Sequence, residues 1–465
     1  MGNDFCRGCA EAERSFLKEK EKIMGTEEVK RIDSAKATEI RLEEQRKGHL
    51  PLVELHILRS FGPECLNRGF DNKHKRIVVG GYERDRFSSQ CMLHAIAEKQ
   101  LTHDRNRSRF FKEDAAAAVL EKLGSAASDD ETAKVRTIIS DVVDEIKDGK
   151  AKDNGKAEKE TDPVKKDDLL RTANTITYDN FEVQVLANCV LEHLQDNADS
   201  KKLIKVIKSD FSEKVQEFTP SMEMALRGRM STISCMGSYP SAIHAAHAYS
   251  VNETAGDYDD FTSDDTGSKK YKIAYDTEQT GASYMQTQDV SSSTYYWYVA
   301  VDTSQIFETY LLHRELPLSQ DQINRFVKEC EEMAVEFAWL SMTTVPSAKQ
   351  TAMASTPEPD AVVMVVKRGS NSTLTFDSSF VKPVRSTADE CVAEIAVRRL
   401  LKAAELASAG AFSRIPASCR DKYSRHVASD TYVISDFDEV YGKPLALPDG
   451  SRRITTEQLE DAIVS

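Results

Sequence analysis

Between residues 67 and 90 the chain gathers side chains suited to one chemistry, the holding of phosphate. Asn67 and Arg68 open the stretch, Lys73, Lys75 and Arg76 follow, and Arg84 and Arg86 lead into Ser88, Ser89 and Gln90. Guanidinium and ammonium groups take phosphate oxygens through charge-assisted hydrogen bonds, the former bidentately and the latter as point charges. Gly80-Gly81 lets the backbone turn sharply between them, since glycine tolerates angles that other residues avoid. Ser88-Ser89 stands where Met92, Ala95 and Ile96 start a helical spacing, so serine caps a helix whose N-terminus favours negative charge. The same residues also suit a strand–strand–helix corner with solvated charges, and composition alone favours that plainer reading.

A second candidate is the run Ala225 to Met230, ALRGRM. Arg227 and Arg229 flank Gly228, so a backbone and two guanidiniums can approach a phosphate closely. Met230 is apolar and flexible enough to wedge against a base. Its plainer reading is a helix end with surface arginines and a core methionine.

Other chemistries find little support. G-x-S-x-G, Walker A and H-E-x-x-H are absent, and cysteines do not pair into clusters. Cys6-x-x-Cys9 is half of a zinc pattern without a second half nearby, and His244 and His247 have no acid or cysteine at ligand spacing. An EF-hand loop from Asp257 would need glycine at 262 and glutamate at 268, where Thr262 and Ser268 stand. Neither a metal nor any other cofactor is expected, and no residue is assigned a catalytic role. One further acid, Asp71 in the loop Gly69–Asn72, reads by itself as a turn former.

The elements that must position these residues are legible in outline. Val53, Leu55 and Ile57 alternate as in a half-buried strand. Polar helix fills residues 1–50, with Gly48 as its stop. Amphipathic helices run through 101–215, broken by an apolar-free charged linker at 147–168. An Ala- and His-rich helix is read at 242–251. Residues 252–294 form a long, polar, largely structureless excursion. Thr294–Ile306 is an aromatic core strand, 326–350 a helix ending at Val345-Pro346 before a strand region, and 361–366 a buried strand. A long helix at 386–410 precedes a tail without chemical signal.

The chain has 465 residues and a net charge of −14, the wrong sign for binding nucleic acid by overall charge, so any such contact depends on patches. No apolar run reaches about 20 residues, so no membrane partner is expected. The N-terminus lacks an apolar core, and Cys6 stands where myristoylation wants Ser or Thr. Nine scattered cysteines suit reduced thiols in a cytoplasm.

The order Glu54-Leu55-His56, Leu66-Asn67-Arg68, Gly80-Gly81, Arg84-x-Arg86-Phe87-Ser88-Ser89-Gln90, ALRGRM, and Pro346 to Lys349-Gln350 resembles the CasC-type backbone subunits of type I-E CRISPR Cascade complexes, within the RAMP superfamily. The resemblance spans roughly 52–384 and implies an α+β fold: a discontinuous RRM-like (ferredoxin-like) palm in three parts (51–100, 216–251, 295–384), a helical fingers insertion, a thumb β-hairpin at 252–294, a C-terminal helix and tail at 385–465, and an extension at 1–50 outside the match. It implies a non-enzymatic subunit that oligomerises along crRNA and presents it to target DNA, with copies of itself and other Cascade subunits as partners. It adds Lys349 and Gln350 to the crRNA-binding set, and Gly281, Met285, Thr287 and Gln288 as the thumb. A related branch of backbone subunits places an RNA-cleaving aspartate in a loop like that of Asp71, and only this resemblance adds a metal-dependent ribonuclease as the alternative there. The chain departs from the pattern at Tyr82, Glu83, Leu93 and His94, where the family is basic, so a weakly binding interaction module stays open beside the scaffold.

Overall fold

In the computed structural model the described residues are 30–100, 103–124, 128–147, 175–195, 200–231, 233–263, 284–408 and 428–464. The Cys6/Cys9 pair, the linker beyond Lys147, Asp264, Asp265 and Gly281 lie outside them. Helix α1 (Ser34–Arg46) is capped by Asp33, whose carboxylate accepts the Lys36 N–H. This part of the extension at 1–50 joins the core of the fold: Ile32, Ala37 and Ile40 are buried in the main apolar cluster. The Ile32 N–H also donates to the Arg314 carbonyl.

Strand β1 (Leu52–Ser60) is the centre of a nine-stranded sheet. It is followed by β2 (Arg76–Val79), β3 (Tyr82–Phe87) and helix α2 (Ser89–Ala97). A helical insertion comes next, built on the two-stranded sheet of β4 (Arg105–Ser108) and β5 (Ile176–Asp179). Its helices are α3 (Phe111–Leu123), α4 (Asp129–Ile146), α5 (Asn180–His193) and α6 (Ser200–Lys214). Ser128–Glu131 and Asp179–Glu182 capping boxes start α4 and α5. Phe111, Val119, Ile139, Leu186, Ile207 and Phe211 give this unit a core of its own.

The chain returns to the sheet through α7 (Met222–Arg227), β6 (Ile243–Ala245) and β7 (Ala248–Ser250). A helix was expected over 242–251; instead β6 and β7 hydrogen-bond to β10 (Thr294–Asp302). Sheet pairing across sequence overrides the local alanine preference there. Between them, β8 (Asp257–Ser263) pairs antiparallel with β9 (Tyr284–Val290), so both flanks of the polar excursion are ordered strands. Helices α8 (Thr303–Leu311) and α9 (Gln320–Thr343) then cross the sheet. Where a strand was expected after Pro346, Lys349 adopts left-handed backbone (φ 58°) and starts the single turn α10 (Gln350–Met353).

Strand β11 (Ala361–Arg368), helix α11 (Val392–Ser408), β12 (Ala428–Ile434) and β13 (Arg452–Arg453) complete the fold. The order β13–β12–β11–β1–β10–β7–β3–β2 is antiparallel except for the parallel β12–β13 pair. The C-terminal tail is thus an integral sheet edge. The half-buried reading of β1 also gives way, because Leu52 to Arg59 are all buried. Val53, Leu55 and Ile57 pack under α8 and α9, while α11 and Phe376, Phe380 and Val384 cover the opposite face. Its polar residues find partners there, although His56 Nε2 and Arg59 Nε are buried without one. Glu54 accepts from Tyr298 Oη at 2.8 Å and the Leu374 N–H at 2.7 Å, and pairs with Lys367 at 2.5 Å. His56 stacks on Phe376 at 3.8 Å, and burial pushes its pKa down to about 3, keeping it neutral.

Candidate nucleic-acid interface

The loop between β1 and β2 folds back on itself. Gly69 N–H donates to the Lys73 carbonyl, and Asp71 accepts the Lys73 N–H at 3.2 Å. Asp71 therefore builds the turn, and its carboxylate is exposed. Arg68 is exposed with one guanidinium nitrogen on Asn72. Asn67 is buried, accepting the Ser88 N–H at 3.0 Å through its side chain and the Lys75 N–H through its carbonyl. It joins the loop to the start of α2.

That helix start is closed by side chains. Ser88 Oγ accepts the Cys91 N–H, and His247 Nδ1 accepts the Ser89 N–H at 2.9 Å. Gln90 is exposed in the first turn. Burial, Arg86 and Lys75 together push the His247 pKa down, so both cations flank the imidazole. Arg86 donates its backbone N–H to the Lys75 carbonyl, which fixes the two residues side by side. Neither the Arg86 guanidinium nor the Lys73 and Lys75 ammonium groups has a hydrogen bond or ion pair among the described residues, and Arg86 Nε is buried without a partner.

The other expected cations are committed. Arg84 was expected beside Arg86 on a phosphate-facing ridge, but it is 0% exposed. Its guanidinium donates to the carbonyls of Ser250, Val251, Phe380 and Val381 at 2.7–3.3 Å. It clamps β3 to two distant segments, and its one unpartnered donor, Nε, is buried out of reach of RNA. Arg229 is likewise buried, paired with Glu182 at 2.6 Å and donating to the Gly237 carbonyl at 2.8 Å. Arg227 spends its fork on Gln100, with Glu223 at 3.3 Å. Arg229 therefore fastens the insertion to the segment after α7, while Arg227 ties α7 to α2 and its end. Gly228 (φ +66°) sits where a Cβ would meet the Tyr239 carbonyl and the Ser241 nitrogen at 2.6 Å, so only glycine fits. Met230 is 91% exposed at the rim of an open cleft lined by Arg105, Tyr239 and Pro240. It is free to pack on a flat group.

Under the loop lies a buried charged network that no local pattern announces. His74 contacts Glu64 at 2.9 Å and lies 3.9 Å from Asp85, all three buried. Asp289 of β9 accepts the His74 N–H and pairs with Arg76 at 3.0 Å. Asp85 accepts from Thr254, Ser291 and Ser293 hydroxyls. Burial opposes a charge on His74, but the hydrogen bond it donates to Glu64 and the Glu64 and Asp85 charges outweigh it, so its pKa lies above the usual value.

The last expected residues meet at the hairpin base. Lys349 Nζ donates to Gln288 Oε1 at 3.2 Å, and Gln350 donates to the Pro346 and Ser355 carbonyls. Thr287 is exposed and bonds Asp260 across the hairpin. Met285 lies on β9 opposite Thr262. Among the described residues, the one grouping with metal-ligand geometry is Glu192, His193 and Asp210 in the helical insertion, far in sequence from Asp71. No helix among the described residues is long and apolar enough to cross a membrane.

Comparison with solved structures finds a chain of a "CRISPR RNA-guided surveillance complex, pre-nicking", 18% identical with a TM-score of 0.58, covering 89% of this chain and 99% of that one. A chain of a "CRISPR RNA-guided surveillance complex" is 16% identical with a TM-score of 0.45, covering 88% and 97%. At such identity the first likeness shows a shared mixed α+β fold. No curated protein matches. The family described as CT1975-like protein matches residues 53–431, most of the length, in agreement with the motif order, and the chain belongs to that family.

Proposed function

We propose that the chain is a guide-RNA-binding backbone subunit of a cytoplasmic CRISPR RNA-guided surveillance complex. Several copies line up along the crRNA spacer, hold its phosphates, and leave its bases to pair with target DNA beside the other Cascade subunits. The protein is a scaffold rather than an enzyme, and sequence is read by base pairing. The observation that carries this reading is the division of the cations. Lys73, Lys75 and Arg86 stand uncommitted beside the start of α2, while Arg76, Arg84, Arg227 and Arg229 are spent within the protein. Evolutionary accident would leave solvated charges scattered; here Asn67, His247 and the Lys75–Arg86 pairing collect them on one edge.

The strand order supports the RRM-like palm, since β11 and β10 flank β1 and β7 lies beyond β10, as in ferredoxin-like sheets. The β8–β9 hairpin fits the thumb, and Met230 fits an apolar wedge against a base. Purification should return RNA of a defined length with the protein; RNA-free protein that binds no oligonucleotide would leave the interaction-module reading. The double variant Lys75→Ala/Arg86→Ala should bind single-stranded RNA roughly tenfold or more weakly. Its affinity should also lose about 0.7 of salt-dependence slope per removed cation. An unchanged slope in folded protein would refute this edge as the phosphate site.

Magnesium or manganese should leave bound and target RNA intact. Cleavage that disappears in Asp71→Ala would replace the scaffold reading with a ribonuclease.

A further inference from the structure

We propose that Glu64, His74, Asp85 and Asp289 form a proton-dependent latch that sets the posture of the β8–β9 hairpin and ties it to the Lys73–Lys75 loop. The tie to the loop deepens the guide-binding reading and rests on it; the latch itself does not. His74 lies between the two uncommitted lysines, so a ligand that draws on them pulls on its backbone. That backbone N–H ends on Asp289 of β9 at 3.0 Å. The ring of the same residue reaches Glu64 at 2.9 Å, and Glu64 is bridged by backbone hydrogen bonds to Ser291 just beyond the hairpin. Loop and hairpin are therefore tied through His74, by its backbone to Asp289 and by its ring to Glu64.

The charge balance makes the latch sensitive to protons. Facing His74 are Glu64 from the loop after β1, Asp85 of β3 and Asp289 of β9. Arg76 of β2 pairs with Asp289 and lies 3.6 Å from Asp85, with Tyr258 of β8 and Glu83 of β3 beside it. Tyr295 of β10 donates to Glu64 at 2.8 Å, the Lys75 carbonyl meets His74 Nδ1 at 3.0 Å, and the Phe87 ring lies 5.7 Å away. Three carboxylates are thus answered by one guanidinium and one imidazole. When His74 gives up its proton, Glu64 loses its cationic partner in a water-poor site. Because the folded-state pKa lies above the ordinary 6.5, the latch is fully made below that value. It is lost as pH rises through the higher folded-state value.

The test is hydrogen exchange of residues 284–290 in the RNA-free full-length chain between about pH 6 and about pH 9, corrected for the intrinsic rate. The wild type should lose roughly tenfold in hairpin protection across that range while β1 and β10 keep theirs. His74→Gln should be poorly protected at every pH. Wild-type pH dependence in His74→Gln, or parallel loss in β1 and the hairpin, would overturn the latch. Should His74→Gln fail to fold, Asp289→Asn removes only the hairpin side. Low hairpin protection with an intact β1 is expected from it, and wild-type protection would refute the proposal. Added oligouridylate of about 30 nucleotides should raise hairpin protection in the wild type and not in Asp289→Asn. Tight binding without that rise would overturn the coupling. Absence of binding would overturn the guide-binding reading while the pH result decides the latch.

Discussion

Arg84→Ala should cost about 3–5 kcal/mol of stability, the scale expected when several buried carbonyls lose their donors at once. Alanine leaves the Ser250, Val251, Phe380 and Val381 carbonyls without the four hydrogen bonds they now receive, the first three of them buried. Lysine should rescue little, because one ammonium cannot span two chain segments as a planar fork does. Denaturant unfolding reads the effect. A variant as stable as the wild type, with RNA affinity lost instead, would return Arg84 to the phosphate ridge.

Arg229→Ala should be comparably damaging, again about 3–5 kcal/mol, because it strands the buried Glu182 carboxylate 2.6 Å from an empty position. Glu182 also closes the capping box that starts α5 by accepting the Asp179 N–H. The loss should therefore concentrate in the helical insertion. Exchange protection of α5 should fall before that of β1. Uniform loss across both units, or none, would show that the pair does not fasten the insertion.

These two arginines also show where sequence reading ran out. Arg84 and Arg86 alternate on one strand, so spacing alone puts them on one face, and no local signal separates a clamp from a free cation. The difference lies in carbonyls at positions 250, 251, 380 and 381, brought in by folding. Local signals fared better. The Ser88 cap, the Gly80 turn (φ +62°), the Gly48 stop (φ +90°) and the existence of strand β1 each depend on neighbours within a few residues. What α1 and the tail contribute was hidden, since their few apolar residues gain meaning only against partners such as Arg314 and β11. Glu64, His74, Asp85 and Asp289 were unreadable for the same reason, being dispersed over three segments, the β1–β2 loop, β3 and β9.

The register of β1 has a consequence for biosynthesis. Its partners on β10 follow it by about 240 residues and those on β11 by about 310. At roughly 5–20 residues per second, a nascent chain exposes this strand for about 12–50 s before the first neighbour leaves the ribosome. The insertion, whose helices contact one another locally and bury a separate core, is complete well before then. Glu54, His56 and Arg59 punctuate the waiting strand, and charge and polarity there oppose pairing with the wrong edge. Residues that must later be neutralised by Lys367, Tyr296 and the end of α9 thus act as gatekeepers during translation.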